Sequence, residues 1–135
     1  MKKFILLLSI LAFTLGMNAQ TVLPKQGDKT FKWEEPDQGE TFNVTYDVGK
    51  NVPVMEEKAF HNALMTAVIK SKYKLKNKLS FRPIRVFLYN TEKDGVMMTV
   101  KFAGNNAYGQ PGMMTSYYSI EDVDGTPKAV HQFTN

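Results

Sequence analysis

Ile84-Arg85-Val86-Phe87-Leu88-Tyr89-Asn90, then Thr91-Glu92-Lys93-Asp94-Gly95, then Val96-Met97-Met98-Thr99-Val100-Lys101-Phe102: the fold turns on this stretch. Hydrophobicity repeats every second residue on both sides of the turn, the period of a strand with two unlike faces. Ile84, Val86 and Leu88 point one way; Arg85, Phe87 and Tyr89 point the other. Gly95 closes the turn and is free to take positive φ, so the two runs form a hairpin. Pro83 cannot donate a ladder hydrogen bond. It places the first strand at an edge or leaves only its later part in the ladder.

Downstream, the loop Gly104 to Gly112 leads into a third strand, Met113 to Ile120. Asp122-Val123-Asp124-Gly125-Thr126-Pro127 turns the chain, and Lys128 to Phe133 is a fourth strand. Upstream the period changes. Phe60, Ala63, Leu64, Ala67, Val68 and Ser71 recur at helical spacing, which predicts a helix from Pro53 to Lys72. Pro53 suits the first turn, Glu56 and Glu57 suit its positive end, and Lys70, Lys72 and Lys74 suit its negative end. Before it, Thr30 to Glu34 and Glu40 to Val48 alternate around the turn residues 35–39, an N-terminal hairpin. The expected class is α+β: one long helix on an antiparallel meander of three to four strands, preceded by that hairpin. The hairpin, with Phe31, Trp33, Phe42 and Tyr46, is expected to pack over a surface that one helix cannot cover.

The chain has 135 residues and no cysteine. Disulfides, thiolate catalysis and cysteine-ligated metals are therefore excluded. Lys2 and Lys3 precede an apolar run from Phe4 to Leu15, and Gly16-Met17-Asn18-Ala19 follows. This is the layout of a secretory signal peptide. Its Asn-Ala-Gln ending resembles signal peptides of Bacteroidota. The expected organisation is a signal peptide over 1–19, a flexible arm over 20–29 and one domain over 30–135. Export to the periplasm or exterior follows, with no membrane span after signal removal. Cleavage takes two of the lysines behind a formal charge of +4, so the basic balance argues little for a polyanion partner.

Two further stretches are Leu75-Lys76 leading to Ser80-Phe81-Arg82-Pro83, and Asn106-Ala107-Tyr108-Gly109. Together they resemble a class of small, mostly uncharacterised exported bacterial domains, over residues 55–134. That class has a helix, a Leu-Lys-x-x-x-Ser-Phe link and an Asn-x-aromatic-Gly loop. Where it often carries Asp-Pro before the Ser-Phe pair, Lys78-Leu79 stands here. The resemblance implies an α+β domain and brings no activity, cofactor or catalytic residue. The layout also resembles cystatin-like folds, but the Gln-x-Val-x-Gly inhibitory loop is absent.

No motif carries chemistry. His61 has Leu64 and Met65 where a helical metal site needs ligands, and His131 stands alone on the last strand. Asp122-Val123-Asp124-Gly125 reads as a turn, because no acid follows to complete a calcium loop. No nucleophile elbow or phosphate loop occurs. No cofactor is expected.

Three functions remain. The first is a non-catalytic binding module with a partner such as an envelope protein. It would use the second sheet face, Arg85, Phe87, Tyr89 and Met97, rimmed by the loop residues Asn105, Asn106 and Tyr108. The second is a small periplasmic hydrolase or isomerase whose pocket carboxylate is Glu34, Glu35 or Asp47. The third is a binder of anionic glycan or another polyanion through Lys70, Lys72, Lys74, Lys76, Lys78 and Arg82, in a stretch free of acids from 58 to 91. Nucleic acid is disfavoured, since the basic run from Lys70 to Arg82 interleaves only Tyr73 and Phe81 as aromatics and export removes the chain from it.

Overall fold

A computed structural model describes residues 22–37, 39–106 and 108–135. The expected signal peptide, 1–19, lies outside the described residues. The elements in order are β1 (Val22–Leu23), β2 (Gly27–Glu34), β3 (Thr41–Val48), β4 (Met55–Glu56), α1 (Glu57–Lys72), a 3-10 turn (Lys78–Ser80), β5 (Arg82–Thr91), β6 (Gly95–Asn105), β7 (Pro111–Glu121) and β8 (Lys128–Thr134). The class is α+β with a mainly antiparallel sheet.

Six strands form one sheet in the order β2-β3-β5-β6-β7-β8. This corrects the expected three to four strands. The meander β5 to β8 is present, but the N-terminal hairpin extends it instead of lying over a face. β3 runs parallel to β5, pairing Thr45 with Arg85 through Val48 with Leu88. The helix makes the crossover that such a parallel pair requires.

The helix is shorter than expected, 16 residues or about 24 Å long. Met55 and Glu56 are in β4, paired with β1, so Glu56 is extended (φ −66°, ψ 136°) and helical geometry starts after it. That pairing also claims part of the expected arm, and β2 begins at Gly27. The helical stripe is as expected: Phe60, Ala63, Leu64, Ala67, Val68 and Ser71 are all buried. The helix packs above β8, β6 and β7.

The inner sheet face supplies the other half of the core. Val44, Tyr46 and Val48 are buried with Val86, Leu88, Val96, Met98, Val100 and Phe102. Tyr118 sits among them, its hydroxyl 2.7 Å from Ser71 Oγ, which donates to the Ala67 carbonyl at 2.8 Å. Ile84 departs from the expected pattern. The β5–β6 register shifts between Pro83 and Arg85, and Ile84 falls in that bulge, exposed. Pro83 is thus tolerated in an interior strand, because pairing with β3 begins only at Arg85.

The link between helix and β5 is built from the residues that carry the resemblance. Ser80 Oγ accepts the Asn105 N–H at 2.8 Å. Phe81 is buried between Trp33 (5.8 Å, edge-on) and Phe102 (5.4 Å). A Cβ on Gly104 would stand 2.4 Å from Leu75 Cδ1. Asn106 Oδ1 accepts the N–H groups of Tyr108 (2.9 Å) and Gln110 (3.0 Å), closing the β6–β7 turn. These motifs therefore perform structural work in this chain.

Candidate functional site

The helix covers one sheet face, and no described element packs on the other. Alternation from the buried positions places Asp47 of β3, Arg85, Phe87 and Tyr89 of β5, Met97, Thr99 and Lys101 of β6, and Tyr117 and Ser119 of β7 on this outer face. The register sets them side by side: Asp47 opposite Phe87, Phe87 opposite Thr99, Thr99 opposite Tyr117, Tyr89 opposite Met97, and Met97 opposite Ser119.

Two aromatic pairs dominate. Phe87 and Tyr89 stack with centroids 5.2 Å apart and planes 20° apart. Tyr117 and Phe133 stack at 4.3 Å and 14°. Within each pair the ring planes are nearly parallel. Phe87 and Phe133 remain 36% and 50% exposed, and Met113, on the same face, 59%. Beside Phe133 lies a hollow of about 580 Å³ bordered by Met97, Ser119, Gln132, Asp94 and Glu121. Burial, and then Tyr117 and Asp94 close by, push the Tyr89 hydroxyl pKa up. Beside the aromatics, Arg85 bridges Asp28 (2.5 Å) and Asp47 (3.7 Å).

The structure thus brings Arg85, Phe87, Tyr89 and Met97 together. Asn105, Asn106 and Tyr108 are not joined to them. Asn105 lies eight residues along β6 from Met97, about 27 Å away. Tyr108 is 89% exposed beyond that far end, so it cannot rim the aromatic patch. Tyr117 and Phe133 were not among the expected residues. Tyr117 was legible from the alternation of its strand. Phe133 was not, because a bulge between Tyr117 and Tyr118 changes the register and moves Phe133 opposite Tyr117.

The basic run is dispersed. Lys72 is a correction: it is buried and bonded to the carboxylates of Glu35 and Asp37, so it cannot present charge to a ligand. Burial pushes its ammonium pKa down, but the hydrogen bonds and charges of Asp37 and Glu35 outweigh this and hold it above its usual value. Lys70 donates to the Ala129 carbonyl at 2.9 Å. Arg82 lies 5.2 Å from the Phe42 ring and 3.4 Å from Glu40, and Lys78 lies 5.5 Å from the Tyr73 ring. Lys74 and Lys76 are exposed.

Of the carboxylates weighed for catalysis, Glu35 is fully buried against Lys72, Asp47 neighbours Arg85, and Glu34 is exposed on β2. His61 is half-buried, stacked on Phe31 at 6.4 Å. His131 Nε2 is 2.8 Å from Thr134 Oγ1; burial, then Lys74 and Lys70, lower its pKa. Among the described residues, no group of three or more histidines and carboxylates is placed to hold a metal, and no helix is long and apolar enough to cross a membrane. Compared with protein-family models, with curated proteins and with solved structures, the chain matches none.

Proposed function

We propose that this is an exported, non-catalytic interaction module that docks on an envelope protein through the outer sheet face. It belongs with the small exported α+β domains that its link and loop resemble. One observation carries the reading: the stacked pairs Phe87–Tyr89 and Tyr117–Phe133 stand on a face that nothing described covers. Contiguous exposed apolar surface of this kind marks interaction sites. Aromatic side chains bury large areas and dominate interface energetics. Six strands about 4.8 Å apart and up to eleven residues long give a face on the order of 1,000 Å². A standard interface needs about 800 Å² per partner.

The test is crosslinked capture from a native envelope extract, with the double variant Phe87→Ser/Phe133→Ser as comparison. Wild type should hold a stoichiometric partner that the folded double variant loses, while Tyr108→Ala retains it. Equal capture by the double variant, or no partner at all, overturns the reading. Export is checked separately by N-terminal sequencing of the protein recovered from the envelope, which should begin at Gln20.

A further inference from the structure

A second surface feature lies on the opposite side of the sheet, at its β2 edge. Among the described residues, β2 is paired only with β3. The outer side of an edge strand carries a row of backbone N–H and C=O groups available to another strand. The helix packs toward β8, β6 and β7, and between it and β2 a cleft of about 480 Å³ opens. Four consecutive residues of β2, Phe31, Lys32, Trp33 and Glu34, border it on one side; His61, Leu64 and Met65 of α1 border it on the other. Phe31 and Trp33 point inward by alternation. Lys32 and Glu34 point to the outer face by alternation, yet both border the cleft, so the cleft follows this stretch of the edge strand. A second hollow of about 340 Å³ continues it past Phe31 and His61 to Lys25, Lys29 and Glu57.

We propose that this edge and cleft form a strand-addition site for an extended peptide of a partner protein. The peptide would become a seventh strand beside β2, with alternate apolar side chains entering the cleft over Phe31, Trp33 and Met65. Main-chain bonds give such a mode its affinity and the pockets give it specificity. The eight residues of β2 offer about 26 Å of edge. Charge selects the occupant. Asp28 is tied to Arg85, which leaves Lys25, Lys29 and Lys32 against Glu34 and Glu57. Three lysines against two glutamates leave the edge with a net positive charge, so a peptide carrying an acidic residue is complementary.

Trp33 is the only tryptophan and borders the cleft, so its fluorescence reports occupancy. The probe is an acetylated, amidated six-residue peptide of alternating leucine and threonine led by glutamate. We expect a saturable change in Trp33 emission. Methylating the alternate amide nitrogens along one edge of the peptide should weaken binding at least tenfold, while methylating the other edge leaves it unchanged. Met65→Glu, with its fold checked by circular dichroism, should also weaken binding at least tenfold, and Phe87→Ser should not alter it. This separates the cleft from the outer face. The absence of any saturable change, or equal binding of both methylated peptides, overturns the proposal. So does a dimer in sedimentation that protects β2 from hydrogen exchange, because the occupant would then be a second copy.

Discussion

At the scale of single residues, Lys72 carries the sharpest energetic consequence. In a list of helix-end lysines it looks like its neighbours. The fold instead draws it inward to meet Glu35, itself fully buried, and Asp37, about half exposed. A buried pair adds little net stability, because desolvation offsets the attraction. Removing one partner is different, since the remaining charge stays buried. Lys72→Met is therefore expected to cost about 3 kcal/mol in urea denaturation, and the double variant Lys72→Met/Glu35→Leu should recover much of it. A single variant within about 0.5 kcal/mol of wild type would show that Glu35 reaches water or other partners without Lys72.

At the scale of elements, the link from helix to β5 and the β6–β7 turn behave as one unit. Gly104 lets Leu75 lie against the β6 backbone, and Ser80 and Asn106 satisfy the main chain around it. Gly104→Val should cost about 1–3 kcal/mol by overpacking. The paired change Gly104→Val/Leu75→Ala should lose less than the sum of the two single changes, a coupling that thermal melts of all four proteins measure. Simple additivity would mean that Leu75 moves aside freely.

The same scale shows what sequence patterning reads well. The helical stripe and the four meander strands were legible because 3.6 and 2 are distinct periods and each run is long. The helix start was not, since the Met55–Glu56 pairing with β1 is a long-range contact that no local capping signal announces. Bulges at Ile84 and beside Tyr117 each shift a register, and that reverses which face a following residue occupies. So Arg85, Phe87, Tyr89 and Met97 were recognisable as one surface, while Phe133 had to be seen. The Asn-x-aromatic-Gly loop was visible as a motif, but only the strand length separates it from the aromatic patch.

At the scale of the whole molecule, pH dependence follows from a few groups. His131, held near Lys70, Lys74, Thr134 and the Tyr118 ring, has its folded pKa below the ordinary 6.5. The unfolded chain binds that proton more readily, so stability should fall as pH drops below about 6.5. Lys72, Tyr46, Tyr89 and Tyr118 all have raised folded pKa values. The native state keeps those protons longer, so stability should also fall as pH rises beyond about 10. Denaturation midpoints across this range should form a plateau with two shoulders. His131→Gln should flatten the acid shoulder and Tyr118→Phe soften the alkaline one; unchanged shoulders would assign them to other groups.

The parallel pairing of β3 with β5 has a consequence for how the molecule comes apart. Every other pairing within the six-stranded sheet joins strands consecutive along the chain, closed by short turns. This one joins distant stretches through four residue pairs and the Gly49 N–H bond to Leu88 (2.8 Å). It is a seam between two locally built halves, a two-strand flap and a four-strand plate. Contacts between distant stretches form late, because the intervening loop must close first. The seam is therefore expected to part before the hairpin ladders do, and faster native-state hydrogen exchange of the amides that join β3 to β5 than of those within β2–β3 would show it.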